Sequence, residues 1–446
     1  MLSQKTIKIS SYILIVLIIG LVLFYTRFEA ISWNDRSRFA TINALVTNHN
    51  FIIEHVYFTT GDKVFINGHF YSDKPPLFSV LAAVPFFFLH LVGFNFSHNP
   101  ALLTYITAVL VMFLPLCGFF WLLYYWCKHN LKKLEDKFLL LDVLFLAAGT
   151  ALLPFTTQLN NHLPTAILLG VAVLIFYYRP VWRSSSLVLM GACLGLATTF
   201  DLSAGFVLAL FGLLLLVNLY KEDFGLNKKI KSIFIFGAVA LIPIFIHCLV
   251  NIQITGDVWP GSMHPEFFNY PSSQFTDANL TGAGFAVSSF WDWLKYLWLL
   301  TFGERGFFLH NPVILLGFIL TIINLKKVVN KNWWYNLFVL ISTIVIILYY
   351  SLFGKGGGGG AYSVRWFIVF IPLFFPIILQ WLEDGVWRRK LLYFLAIITL
   401  IINIFAMGNI LGGANHGKTY SFINMLRAFP GYTVEQVKNW SIVIGK

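Results

Sequence analysis

The feature that most constrains this chain is a succession of apolar runs, each roughly as long as a bilayer is thick, separated by short segments rich in lysine and arginine. The runs lie at about 11 to 27, 101 to 126, 138 to 155, 163 to 178, 185 to 200, 204 to 220, 231 to 250, 309 to 324, 335 to 353, 366 to 381 and 391 to 411. A chain with 58% hydrophobic, 18% aromatic and only 11% charged residues is far from the balance of a soluble domain. The expectation is an all-α polytopic membrane protein of about eleven transmembrane helices, forming one integral domain over residues 1 to 446.

The net charge of +12 does not read as a nucleic-acid surface, because the basic residues stand in small clusters between the runs, as they do in cytoplasmic loops. Lys5/Lys8, Lys128/Lys132/Lys133/Lys137, Arg179/Arg183, Lys221/Lys228/Lys229/Lys231, Lys326/Lys327/Lys331 and Arg388/Arg389/Lys390 together hold 18 of the 31 Lys and Arg. If those loops are cytoplasmic, so is the N-terminus, and the long segments 28 to 100 and 251 to 308, a glycine-rich turn at 354 to 365 and a short C-terminal tail from 412 to 446 fall on the other side. Two further apolar stretches, Pro76 to Val92 and Trp291 to Phe302, must then not cross, since counting either would invert every later loop. They are expected as helices lying in the outer interface. The first run, Tyr12 to Thr26, has the basic flank of a signal peptide but large residues after it, which reads as a retained anchor. Cys117, Cys127, Cys193 and Cys248 show neither disulfide nor zinc spacing.

Candidate chemistry gathers in the outer segments. Asp35, in "WNDRSRFATINALV", stands just beyond the anchor; the bland reading is an ion pair with Arg36 or Arg38. "HFYSDKPPLF" places Asp73 and Lys74 before two prolines, and because proline favours a helix's first turn, Lys74 is expected at a helix mouth where its ammonium can hold an anion. Against that stand a capping Asp73 and an interfacial Lys74. "LTFGERGFFLHNP" and "GKGGGGGAYSVRW" each set an arginine, Arg305 and Arg365, beside glycines, and a guanidinium fork matches phosphate oxygens. The glycine run reads either as a linker or as backbone that lets a ligand come close. "QLNNHLPTA" offers Asn161 and His162 at a helix start, and His310 and Tyr362 stand within the two arginine motifs, so all four are candidates for touching substrate. Asp201 reads as a turn aspartate. His49, His55 and His69 match no metal signature, and no metal ligand set is expected.

These motifs, in this order, resemble the GT-C superfamily of membrane glycosyltransferases, which includes protein O-mannosyltransferases and the aminoarabinose transferases of lipid A. The resemblance rests on Asp35 after the first run, on "YSDKPPLFSVLAAVPFF", on "GT" at 149 to 150 followed by "NNH", on "FGERGFFLHNP" and on "GGAYSVRW", and it spans most of the chain. It implies transfer of a sugar from a polyprenyl-phosphate carrier to an acceptor on the non-cytoplasmic face. It also gives Asp35 the catalytic place, Lys74 the donor phosphate and Asp73 the part of a second, positioning acid. The acid before Lys74 is Asp where the aminoarabinose enzymes carry Glu, and Arg36 stands where mannosyltransferases carry a second acid, which points away from a mannosyl donor.

The chemistry of the residues agrees with that implication. Phosphate departs as a stable anion, so the reaction needs cations near it more than a proton donor. Asp35 would take the proton of the incoming hydroxyl while Lys74, Arg305 and Arg365 offset charge on the departing lipid phosphate, a single displacement with inversion. No cofactor is then called for, although another branch of the superfamily uses a divalent metal. The partners implied are the lipid-linked sugar, a lipid, glycan or protein acceptor, and membrane lipid; no nucleic acid is implied. A prokaryotic plasma membrane is the expected setting, with N-terminus inside and active site and C-terminus outside. The rival reading is a transporter or flippase for a lipid-linked or anionic substrate, whose polar residues belong at mid-membrane on broken helices.

Overall fold

The computed structural model describes residues 4–131, 134–178, 182–275, 280, 284–326, 332–383, 385–408, 410 and 422–444. Apart from one two-stranded hairpin, the described regular structure is helical. The helices are α1 (Gln4–Tyr25), α2 (Trp33–Thr47), α3 (Pro76–Leu91), α4 (Pro100–Ala108), α5 (Leu114–Asn130), α6 (Asp136–Ala148), α7 (His162–Tyr178), α8 (Ser184–Phe200) and α9 (Ala204–Lys221). After these come α10 (Leu226–Thr255), α11 (Phe290–Thr301), α12 (Phe307–His310), α13 (Pro312–Leu325), α14 (Trp333–Phe353), α15 (Phe375–Leu382), α16 (Val386–Met407) and α17 (Phe422–Ile444). A π turn over Val109–Phe113 joins α4 to α5 without a break, and a 3-10 stretch, Arg365–Phe374, runs straight into α15.

Each of the eleven apolar runs carries a helix, but among the described residues seven helices are long and apolar enough to cross a membrane. They are α1, the continuous Pro100–Asn130, α9, α10, α14, Arg365–Leu382 and α16. The runs at α7, α8 and α13 give shorter apolar helices. The run expected over 138 to 155 stops being α-helical at Ala148. Beyond it, residues 149–161 form a fully buried irregular segment, tied down where Asn403 Nδ2 donates to the carbonyls of Ala148 and Thr150. Irregular backbone inside an apolar bundle is tolerated when protein groups satisfy it in this way. The apolar side chains that stay exposed, such as Leu241, Ile242, Phe245 and Leu249 on α10, form the kind of surface lipid covers.

Segment 28 to 100 carries the helix expected over Pro76 to Val92, as α3, and further regular structure besides. It holds α2 and α3 and an antiparallel hairpin of β1 (Lys63–Ile66) with β2 (His69–Ser72). Asn67 and Gly68 both have positive φ, 51° and 86°, as a two-residue primed turn requires. α11 covers the stretch Trp291 to Phe302 and, at 12 residues, is too short to cross. The expected C-terminal tail is instead helical over α17. It packs on the end of α1, with Trp440 Nε1 donating to the Phe24 carbonyl at 3.1 Å and Gln436 Nε2 to that of Thr26 at 2.8 Å. Residues 412–421 and 445–446 of that expected tail, and Lys132, Lys133, Arg179, Lys327 and Lys331 of the basic loops, lie outside the described residues.

α8 and α10 touch backbone to backbone. A Cβ on Gly195 would stand 2.2 Å from the Ala240 carbonyl oxygen, and one on Gly191 2.6 Å from that of Phe236. Small residues permit such an approach in a membrane bundle. Gly195→Val is therefore expected to push the two helices apart and lower stability by about 1–3 kcal/mol or more, read as a lower unfolding midpoint in detergent; an unchanged midpoint contradicts this packing.

Candidate active site

One cavity of about 590 Å³ collects charged side chains from segments far apart in the chain. Asp62, Asp73 and Lys74 come from the hairpin and the start of α3, Arg38 from α2, Asn161 and His162 from the start of α7, and Asp201 from the turn after α8. Lys355 belongs to the glycine-rich turn, and Arg365 opens the 3-10 stretch next to it. Phe206, Tyr349, Tyr350 and Trp366 add an aromatic wall, in which the Tyr350 and Trp366 rings stack at 4.6 Å.

Local sequence explains how these groups are set. Ser37 on α2 donates to the Asp62 carbonyl at 2.6 Å and meets Ser72 Oγ at 2.6 Å, which fixes the hairpin base against α2. Ser72 Oγ accepts from the Lys74 N–H at 3.1 Å, and Pro75 and Pro76 then start α3, so Lys74 does stand at a helix mouth. Its ammonium lies 2.7 Å from Asp62 Oδ2 and 2.8 Å from Asp73 Oδ2. An ammonium has three donors, and one remains for an incoming oxygen. Asp73 Oδ1 is buried with no partner. Burial raises the Asp73 pKa, with Lys74 pulling against it.

The sequence offers Arg38 only as a partner for Asp35, yet it is the deepest cation of the cavity. It is 1% exposed; Nη2 donates to Asn161 Oδ1 at 2.7 Å, while Nε and Nη1 have no partner. Its guanidinium lies over the Phe78 ring, and burial lowers its pKa to about 10, which leaves it charged at neutral pH. Asn161 Nδ2 donates to the Phe200 carbonyl at 2.9 Å, and His162 Nδ1 sits 2.6 Å from Asp201 Oδ2. Asp201 Oδ1 also accepts from the Ser203 N–H and hydroxyl. Burial alone would raise the Asp201 pKa, but the bonds from His162 and Ser203 outweigh it and hold the carboxyl below its ordinary value.

The glycine run is a built turn. Gly356 to Gly360 all have positive φ, between 60° and 91°, a left-handed backbone that glycine adopts without cost. A Cβ on Gly359 would come within 2.6 Å of Arg365 Nε, so only glycine lets this backbone lie over the guanidinium. Ser363 and Val364 are also left-handed, at 54° and 47°, a strained geometry for a β-branched residue.

Of the nine residues singled out from the sequence, Asp73, Lys74, Asn161, His162 and Arg365 line this cavity and Asp35, Arg305, His310 and Tyr362 do not. Arg305 also approaches the glycine run, its Nη1 3.4 Å from where a Gly357 Cβ would stand. His310 and Tyr362 pack edge to face in the interior, and the Tyr362 hydroxyl donates to Asn403 at 2.9 Å. Asp35 lies just behind the wall formed by Ser32, Trp33 and Asn34. Its carboxylate accepts from Ile31 N–H, the Ser32 hydroxyl and Arg36 N–H, and its own N–H donates back to Ser32 Oγ, a reciprocal helix cap. Asp62, Phe206, Tyr349 and Tyr350 carry no local signal in the sequence, whereas Lys355 and Trp366 stand inside the motif "GKGGGGGAYSVRW" and are passed over in favour of Arg365. Neither a protein-family model nor a curated protein matches the chain.

Burial raises the Asp35 pKa from 3.8 to about 6. The folded state therefore binds this proton more tightly than the unfolded chain, and the stability that Asp35 contributes is lost as pH rises from about 4 through about 6, by about 3 kcal/mol at most. The difference in unfolding midpoint between wild type and Asp35→Asn is expected to move against the wild type across that window; a pH-independent difference contradicts it.

Proposed function

We propose that this chain is a membrane glycosyltransferase that moves a sugar from a polyprenyl-phosphate carrier to an acceptor hydroxyl or amine, by a single displacement with inversion at the sugar carbon. The observation that carries the reading is the convergence, around one cavity, of Lys74, Arg365 and the partly unpartnered Arg38 with aromatic side chains. Four cationic and three carboxylate side chains line it, an excess of one positive charge that matches the single negative charge of a phosphodiester. Fixed cations at the point where charge develops on a leaving phosphate stabilise the transition state, and Tyr350 with Trp366 offers flat apolar surface to a sugar ring.

In this reading the eleven helical runs all cross or enter the membrane, the basic loops face the cytoplasm, and the cavity opens on the non-cytoplasmic side of a prokaryotic plasma membrane. α3 has a place in it: Leu81, Val84, Phe87, Phe88 and Leu91 are exposed on the helix that begins two residues after Lys74, an apolar flank along which a polyprenyl tail would lie. Asp35 caps its own helix and is not among the groups that line the cavity, so in this reading the proton acceptor is sought among those that do.

Purified protein incubated with a panel of polyprenyl-phosphate sugars and acceptors is expected to release free polyprenyl phosphate. Lys74→Ala and Arg365→Ala should each lower kcat/KM on the order of 100-fold, and Lys74→Ala should also leave Asp62 and Asp73 facing one another. Movement of the lipid-linked sugar across a vesicle membrane without release of lipid phosphate supports the transporter reading instead, and kinetics unchanged in both variants remove the phosphate site.

A further inference from the structure

The reaction needs one group to accept the proton of the incoming hydroxyl, and the residues around the cavity are not equally fit to do it. Asp62 and Asp73 both bind the Lys74 ammonium, the cation assigned to the leaving phosphate. In-line inversion brings the acceptor in opposite the leaving group, so a base fastened to the phosphate-holding cation is badly placed. Asp73 Oδ1, which has no partner, is moreover enclosed by protein.

His162 is different. It lines the cavity, and its Nδ1 is 2.6 Å from Asp201 Oδ2. Asp201 also accepts two bonds from Ser203 and one, at 3.5 Å, from Asn161 Nδ2. Every one of those partners donates, so the carboxylate is an acceptor throughout and the ring carries its proton on Nδ1, leaving Nε2 with its lone pair. The charged groups acting on the ring are Asp201, Arg365 and Arg38. Burial above all, and the two guanidinium groups with it, favour the neutral ring beforehand, while the carboxylate favours an imidazolium once the proton has moved. Asn161, adjacent in sequence, ties this pair to Arg38.

We infer that His162 is the general base of the transfer and Asp201 the residue that positions it, an assignment resting on the reading of the cavity as a transfer site. The acceptor oxygen bonds to the sugar carbon as the bond from that carbon to the phosphate oxygen breaks. The bonding pair leaves on the phosphate, and the hydroxyl proton passes to His162 Nε2, to be lost to solvent when products depart. The polar cluster is thereby divided: Lys74 with its two acids, and Arg365, serve the phosphate; His162 with Asp201 serves the acceptor.

The test uses the full-length protein in nanodiscs with the donor on which the wild type is active. His162→Ala and His162→Gln are expected to bind donor with an unchanged dissociation constant while kcat falls about 100- to 10,000-fold. Added imidazole should restore turnover to His162→Ala, with the rescued rate following imidazole's own titration. Asp201→Asn should lower kcat with donor affinity kept, and Asp201→Glu should recover part of it. His162→Gln retains a polar contact to Asp201, so it reports on the base even if the alanine variant folds poorly. Turnover by His162→Gln within about threefold of wild type, or no imidazole response in a His162→Ala protein that binds donor, overturns the assignment. A wild type that releases no lipid phosphate from any donor overturns the transfer reading itself, whereas an active wild type with equally active His162 variants overturns only the base.

Discussion

The ammonium of Lys74, held between one oxygen of Asp62 and one of Asp73, sets the terms for the rest of the cavity. Removing an ion from water costs several kcal/mol unless partners replace its hydration, and here two carboxylates do so while leaving one N–H unengaged. That arrangement depends on α2, since Ser37 anchors the loop that carries Asp62 and the strand that ends at Ser72. It depends equally on the two prolines that start α3 immediately after the lysine. Loss of either support would leave two acids and a cation buried without fixed geometry.

The helical bundle supplies the other wall. α7 and α8 meet the cavity at their ends, where His162, Asn161 and Asp201 are cross-linked by hydrogen bonds. The glycine turn after α14 lies close over Arg365. Tyr296 on α11 braces that turn, donating to the Gly354 carbonyl and accepting from the Gly357 N–H. Segments that are irregular by necessity thus stand on rigid elements, the usual arrangement for chemistry in a folded protein.

Much of this is legible in the sequence where one local rule decides. Apolar runs mark the positions of the helices, and the proline pair places Lys74 at the start of α3. Asn67-Gly68 between "KVFI" and "HFYS" is a hairpin signal that the sequence reading leaves unused. Ser32-x-x-Asp35 is likewise a capping pattern, and the structure shows Asp35 in those cap bonds. Helix lengths are less legible, because composition does not say where α6 ends once buried polar groups such as Asn403 take over its last carbonyls. Arg38 is beyond local reasoning altogether: its partner Asn161 stands just ahead of another helix, far along the chain, and only the fold makes the two neighbours. The C-terminal segment, too polar to read as a span, becomes a helix because α1 offers it backbone carbonyls and the residues after α1 an aromatic face.

The central claim is that the cations of this cavity grip a lipid phosphate. The most direct measurement is a cryo-electron microscopy map of the protein with a short-chain polyprenyl phosphate bound. Phosphate density within roughly 3 Å of Lys74 Nζ and the Arg365 guanidinium, with the polyprenyl chain leaving along α3, is the result this account predicts. Lipid phosphate seated elsewhere, with this cavity empty under conditions that saturate binding, would contradict it.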